Sequence, residues 1–163
     1  AFGLTCQGRH ITVVDDTYNA NPDSVRAAIE VLAALPSPRV LVLGDMGEVG
    51  TQGPEFHQEV GAYAKAKHIE HLLCLGELAQ HSASAYGAQA LHFLDIQTLQ
   101  NHLMALLPSA GSVLVKGSRF MKMERVTEAM QTACANESAG VGTTAQAQAN
   151  VSQEKKKEST PCC

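Results

Sequence analysis

An excess of positive charge is missing from this chain. Its formal net charge is −4 at neutral pH, whereas a general nucleic-acid binder needs a basic face to displace condensed counterions. Long apolar runs are missing too. None approaches the roughly 20 residues that cross a bilayer. The opening stretch AFGLTCQGRH lacks the charged start and apolar core of a secretory signal, so none is expected. A disulfide framework is also absent from the pattern. The cysteines are Cys6, Cys74, Cys134, Cys162 and Cys163, odd in number and irregular in spacing. Cys74 lies in an apolar run and reads as a small core residue. A reducing cytosol, and hence a cytoplasmic location, is the expected setting. His68 and His71 flank Ile69 and Glu70, but no second ligand pair lies nearby, so no metal site is expected there.

What is present is enough for one domain. The chain has 163 residues, 45% of them apolar, which allows a core of useful size. Strand-like and helix-like stretches alternate. HITVV, RVLVLG, HLLCLG, ALHFL and SVLVKG read as strands. Between and after them, helices are expected over Pro22 to Leu35, Pro54 to Lys67, Glu77 to Tyr86, Ile96 to Leu107 and Phe120 to Thr132. The strands are nearly unbroken apolar runs, which suits a parallel sheet covered on both faces. The helices carry one-sided stripes such as Val25, Ile29 and Leu32, or Met123, Val126 and Met130, and these read as core. Pro22 and Pro54 suit first helical turns. Right-handed βα units imply an α/β fold: a doubly wound, mostly parallel sheet of 5–6 strands with flanking helices. FGLTC is a candidate edge strand.

Near residue 135 the composition changes. Residues 1–135 form the expected domain. Residues 136–163 are mostly small and polar and cannot bury enough surface to offset ordering, so a disordered tail is expected. Its terminal Cys162-Cys163 lacks a C-a-a-X pattern.

In a doubly wound sheet, ligands gather where the strands end. Here those ends are polar: Asp15, Asp16, Thr17, Tyr18, Asn19 and Asn21 after the first run, Asp45 and Glu48 after the second, Glu77 after the third, and Lys116, Ser118 and Arg119 after the last. Each group also has a plain reading. Asn21 before Pro22 could cap a helix. Asp23 and Ser24 suit a first turn. Lys116-Gly117-Ser118 is not a phosphate-binding P-loop, because Lys precedes Gly. No G-x-G-x-x-G fingerprint occurs, which argues against a self-sufficient dinucleotide site.

Three segments together carry a resemblance. DDTYNANPDSVRAAIEVL, RVLVLGDMGEVG and VLVKGSRFMKMERV occur in this order and at domain-scale spacing. They resemble the C-terminal domain of the Mur ligases over roughly Gln7 to Gln131. YNANP with LGDMGE resembles the branch of that family whose incoming amine is D-alanyl-D-alanine. The resemblance implies a Rossmann-like third domain that closes over ATP and the amine. It also implies two further domains, one holding a UDP-N-acetylmuramoyl-tripeptide and one carrying the P-loop, Mg²⁺ and a modified lysine. The implied reaction is ATP-driven amide formation through an acyl phosphate in peptidoglycan synthesis, with this domain inactive alone. Keeping that intermediate from water and three reactants in line is work for a closing domain.

The resemblance also implies roles. Asp16 would accept from ribose hydroxyls, with Tyr18 and Asn19 against adenine or ribose and Asn21 serving either the nucleotide or the helix cap. Lys116, Ser118 and Arg119 would face the phosphate and the carboxylate of D-alanyl-D-alanine. Asp45 or Glu48 would attract the dipeptide ammonium or take its proton. No catalytic residue and no metal ligand is expected in this chain. Two other readings stay open. One is a stand-alone, non-catalytic module that binds a nucleotide or small molecule. The other is an interaction domain whose polar edge only caps helices.

Overall fold

The computed structural model describes residues 1–136. They form one six-stranded sheet with helices on both faces. The strands are β1 (Phe2–Cys6), β2 (Arg9–Asp16), β3 (Arg39–Gly44), β4 (His71–Leu75), β5 (Ala90–Phe93) and β6 (Ser112–Lys116). The helices are α1 (Pro22–Ala33), α2 (Gly53–Ala66), α3 (Ala79–Tyr86), α4 (Ile96–Leu106) and α5 (124–136). The sheet order is β1-β2-β6-β3-β4-β5. β1 pairs antiparallel to β2, and every other pair is parallel. The candidate edge strand is therefore present.

Side chains of a strand alternate between faces, and here both faces are filled. Val40, Val42, Val113 and Val115 face α4 and α5. Leu41, Leu43, Leu72 and Leu114 face α1, α2 and α3. This is why β3, β4 and β6 read as continuous apolar runs. β2 differs. Ile11 and Val13 are buried, while Thr12 and Val14 are half-buried. The α1 face thus stays open beside β2, where a cleft forms.

Local signals explain the helix ends. Asn21 caps α1: its Oδ1 accepts from the Ser24 N–H at 2.9 Å, and the Ser24 hydroxyl lies 3.0 Å from the Asn21 N–H, which donates to it. Asp95 caps α4 by accepting from the Thr98 N–H at 2.8 Å. The last helix begins later than expected. A short 3-10 turn covers Arg119–Met121, Lys122 is left-handed at φ 49°, and α5 starts at residue 124. The apolar stripe supplies the reason. Met123, Val126 and Met130 are buried, whereas Phe120 is 65% exposed.

The cysteine reading needs correction. Cys6 on β1 and Cys134 on α5 are joined as a disulfide. Their sequence separation is 128, a pairing that linear spacing does not reveal. Cys74 is the core residue expected, fully buried, and burial pushes its thiol pKa up. The expected tail, residues 136–163, lies outside the described residues except at its first position.

Candidate functional site

The order of strands creates the site. The chain runs outward from β2 through β3 to β5, then returns to insert β6 between β2 and β3. The carboxyl ends of β2, β6 and β3 flank this reversal, where doubly wound sheets leave a crevice.

The adjacent carboxylates at the end of β2 part company. Strand alternation sends them to opposite faces. Asp15 points toward α5: its Oδ2 accepts from the Thr127 hydroxyl at 2.8 Å, and its Oδ1 accepts from the Thr17 hydroxyl at 2.7 Å. Asp16 points to the α1 face. Its Oδ2 lies 2.7 Å from Lys116 Nζ, on the residue beside it in the parallel register. Lys116 also donates to the Asn19 carbonyl at 2.7 Å. The lysine side chain is 2% exposed and that of Asp16 is 43% exposed.

Residues 19–21 form a ridge between two clefts. One, of about 370 Å³, has Val14, Val31 and Leu114 in its wall and Asp16, Tyr18 and Lys116 at its polar end. The other, of about 380 Å³, lies between Asp23, Glu48 and Phe56. Asn19 and Asn21 line both. The first cleft joins an apolar wall to an exposed carboxylate and suits a group with a flat ring and hydroxyls. The second carries two acidic side chains and suits a cation. Tyr18 stands 75% exposed at the rim, with the Arg119 guanidinium 5.5 Å from its ring centre.

The second loop is held from beneath. Gly47 N–H donates to the Ala20 carbonyl at 3.1 Å. Asp45 turns inward, where its Oδ1 accepts from the Ala79 N–H at 2.7 Å at the start of α3. Gly76, at φ +114°, leaves room for that carboxylate, because a Cβ there would lie 2.5 Å from it. Ser118 donates from its hydroxyl to the Asp45 carbonyl at 2.6 Å. Met46 N–H donates to His57 Nε2 at 3.1 Å, and His57 Nδ1–H donates to the Gly53 carbonyl at 2.7 Å. Burial lowers the His57 pKa, with His81 acting the same way. The Gly53 carbonyl and Asp45 oppose it.

The expected rim residues therefore converge, but not all face outward. Asp16, Tyr18, Asn19, Asn21, Glu48 and Arg119 reach the clefts or the surface. Asp45, Lys116 and Ser118 are at most 8% exposed, and each makes hydrogen bonds within the fold; Lys116 also lines the first cleft. Asn21 acts as the helix cap and lines both clefts as well. Two residues escaped the sequence reading. His57 sits one turn before Val60 and Gly61 on the buried face of α2, a spacing that marks it as interior. Phe120 beside Gly47 is an exposed aromatic in the shifted turn. Among the described residues, no group of three or more His, Cys, Asp or Glu is placed to hold a metal.

A wound sheet with a polar reversal crevice lacking its own phosphate loop has a counterpart among known families. The family model described as "Mur ligase, glutamate ligase domain" matches residues 2–119, and the chain belongs to the Mur ligase family. Its curated relatives include members that carry the name of a D-alanyl-D-alanine ligase. It is 41% identical over 121 residues to the UDP-N-acetylmuramoyl-tripeptide–D-alanyl-D-alanine ligase of Escherichia coli (strain K12), across 73% of this chain and 26% of that protein. It is 36% identical over 118 residues to the enzyme of the same name from Buchnera aphidicola subsp. Acyrthosiphon pisum (strain APS), across 71% of this chain and 26% of that one. Among solved structures, MurF from Acinetobacter baumannii superposes with a TM-score of 0.71 at 28% identity, over 80% of this chain and 29% of that one. MurF ligase from Thermotoga maritima in complex with ADP gives 0.68 at 25% identity, over 83% and 31%. The chain thus spans about a quarter of the length of the curated relatives it matches.

Proposed function

We propose that this chain is the amine- and nucleotide-closing domain of an ATP-dependent ligase that joins D-alanyl-D-alanine to a UDP-N-acetylmuramoyl-tripeptide in peptidoglycan synthesis. The observation that carries the reading is the ridge at residues 19–21. It parts a cleft with an apolar wall and the exposed Asp16 from a second cleft carrying Asp23 and Glu48. In this reading Asp16 accepts from ribose hydroxyls, and Tyr18 and Asn19 lie against the base and sugar. Glu48 attracts the dipeptide ammonium across the ridge, and Arg119 pairs with a carboxylate or phosphate. Asp45 and Ser118 shape the loop that carries Glu48.

The named relatives and the ADP complex support this reading. The chain's own residues bind and orient, and bringing the amine to an activated carboxyl is their contribution. The P-loop and the Mg²⁺ that steadies ATP phosphates belong to a companion domain. A bacterial cytoplasm supplies all three substrates. No described helix is long and apolar enough to cross a membrane.

The test is titration of the 163-residue chain with ATP and with D-alanyl-D-alanine, followed by amide NMR. Weak, separate responses on the two sides of residues 19–21, with no ATP hydrolysis, are expected. Tight saturable binding of nucleotide by the chain alone would instead favour a self-sufficient binding module. No response to either ligand would leave the polar rim as capping only.

A further inference from the structure

We propose that Lys116 is a positioning residue: a buried strut that sets Asp16 and the ridge at residues 19–21 for nucleotide, rather than a ligand for a substrate anion. The inference deepens the proposed function and rests on it. Lys116 ends β6, and its side chain is 2% exposed. Its ammonium holds two partners on the neighbouring loop, Asp16 Oδ2 and the Asn19 carbonyl, both at 2.7 Å. These partners are three residues apart, and the chain between them carries Thr17 and the exposed Tyr18. One cation therefore fixes both ends of the segment that presents Tyr18.

An ammonium out of water needs such partners, because an uncompensated buried charge is strongly unfavourable. Burial also bars a bulky anion from the cation. A carboxylate or phosphate would have to displace Asp16 to reach it. The geometry is that of a pre-set loop. Asp16 keeps one oxygen on Lys116 while its side chain remains 43% exposed, in the orientation that a ribose would meet. A loop ordered before binding does not lose that freedom on binding, so affinity gains.

The pair is unequal, and this selects the variant. Removing the Asp16 charge leaves the buried cation poorly compensated. Lys116→Met keeps the unbranched apolar stem, one atom shorter, and leaves Asp16 to water, so a folded protein is expected. Glu70→Gln serves as a comparator. It weakens the Glu70 pair with Arg39 at the opposite end of β3 and perturbs the fold without touching the rim.

The experiment measures amide spectra, hydrogen exchange and thermal midpoint of the 163-residue chain, with ATP as probe. Lys116→Met is expected to shift and speed exchange at residues 16–21 and to weaken ATP binding tenfold or more. Glu70→Gln is expected to lower the midpoint and leave ATP affinity unchanged. Unaltered exchange at residues 16–21 in Lys116→Met would overturn the strut, whatever ATP does. A loosened loop with unchanged ATP affinity would overturn its role in binding. A loosened loop in a protein whose wild type shows no response to millimolar ATP would uphold the strut and sink the nucleotide reading instead.

Discussion

Asp15 and Asp16 show how little separates a residue tied into the fold from one that lines a cleft. They are neighbours with the same side chain, and the two-residue period of β2 sends one to α5 and the other to the clefts. Asp15→Ala removes acceptors for the Thr17 and Thr127 hydroxyls and is expected to cost about 1–2 kcal/mol of stability, read by urea denaturation. ATP affinity, corrected for folded fraction, should be little changed. Asp16→Asn keeps an acceptor for Lys116 but removes the charge and one acceptor oxygen. It is expected to weaken ATP binding several-fold and to cost at least as much stability as Asp15→Ala, because the buried Lys116 ammonium loses its counter-charge. If Asp15→Ala weakened ATP binding and Asp16→Asn did not, the assignment of faces would be wrong. Gly76 is a third residue with one tolerable identity. A methyl there meets the Asp45 carboxylate at 2.5 Å on a backbone at φ +114°. Gly76→Ala should therefore cost about 3 kcal/mol, again visible in denaturation.

At the scale of elements, α2 does more than cover the sheet. It carries His57 under the loop of residues 44–49, where the neutral ring accepts from Met46 and donates to Gly53. Protonation would turn the accepting nitrogen into a donor facing an N–H. Burial lowers the folded pKa below the ordinary histidine value near 6.5, with His81 adding to the shift and Asp45 resisting it. The unfolded chain therefore binds this proton first as pH falls. The stabilisation is complete above about pH 6.5 and is lost as pH drops toward the folded value, with a slope of at most about 1.4 kcal/mol per pH unit. Denaturant unfolding between pH 7 and 5 should show this slope in the wild type and a flatter profile in His57→Gln. Equal slopes would remove His57 from the account. The sequence could not display this tie, because a histidine on an apolar helical stripe looks like any other interruption. Strands were legible because two covered faces demand unbroken apolar runs. The rim was legible because polar residues follow those runs. The direction of Asp45, Lys116 and Ser118 was not, since short polar and long basic chains serve an inner tie and an outer ligand equally well. The start of α5 was misread because Phe120 fits the helical apolar period, yet the chain turns left-handed at Lys122 before the helix begins.

At the scale of the whole molecule, the edge strand and the last helix are tied to each other and to the rim. Cys6 on β1 meets Cys134 near the end of α5, while Thr127, two turns earlier on the same helix, holds Asp15 at the rim. Closing a loop across a separation of 128 residues removes much of the freedom of the unfolded chain, by roughly 4–5 kcal/mol in the chain-entropy account. Reduction should therefore lower the thermal midpoint by on the order of 10 °C for a domain of this size. Cys6→Ala should show the lowered midpoint without reductant and no further response to it. The rim should not follow. The Asp15–Thr127 bond and the Lys116 ties survive reduction, so the ATP response at residues 16–21 is expected to match in both states when measured well below the lower midpoint. A reduced protein with an unchanged midpoint would show that the covalent link adds nothing to a core already closed by Val126 and Met130. A reduced protein that stayed folded but lost its ATP response would mean that α5 reaches the rim through Asp15 more strongly than one hydroxyl bond accounts for.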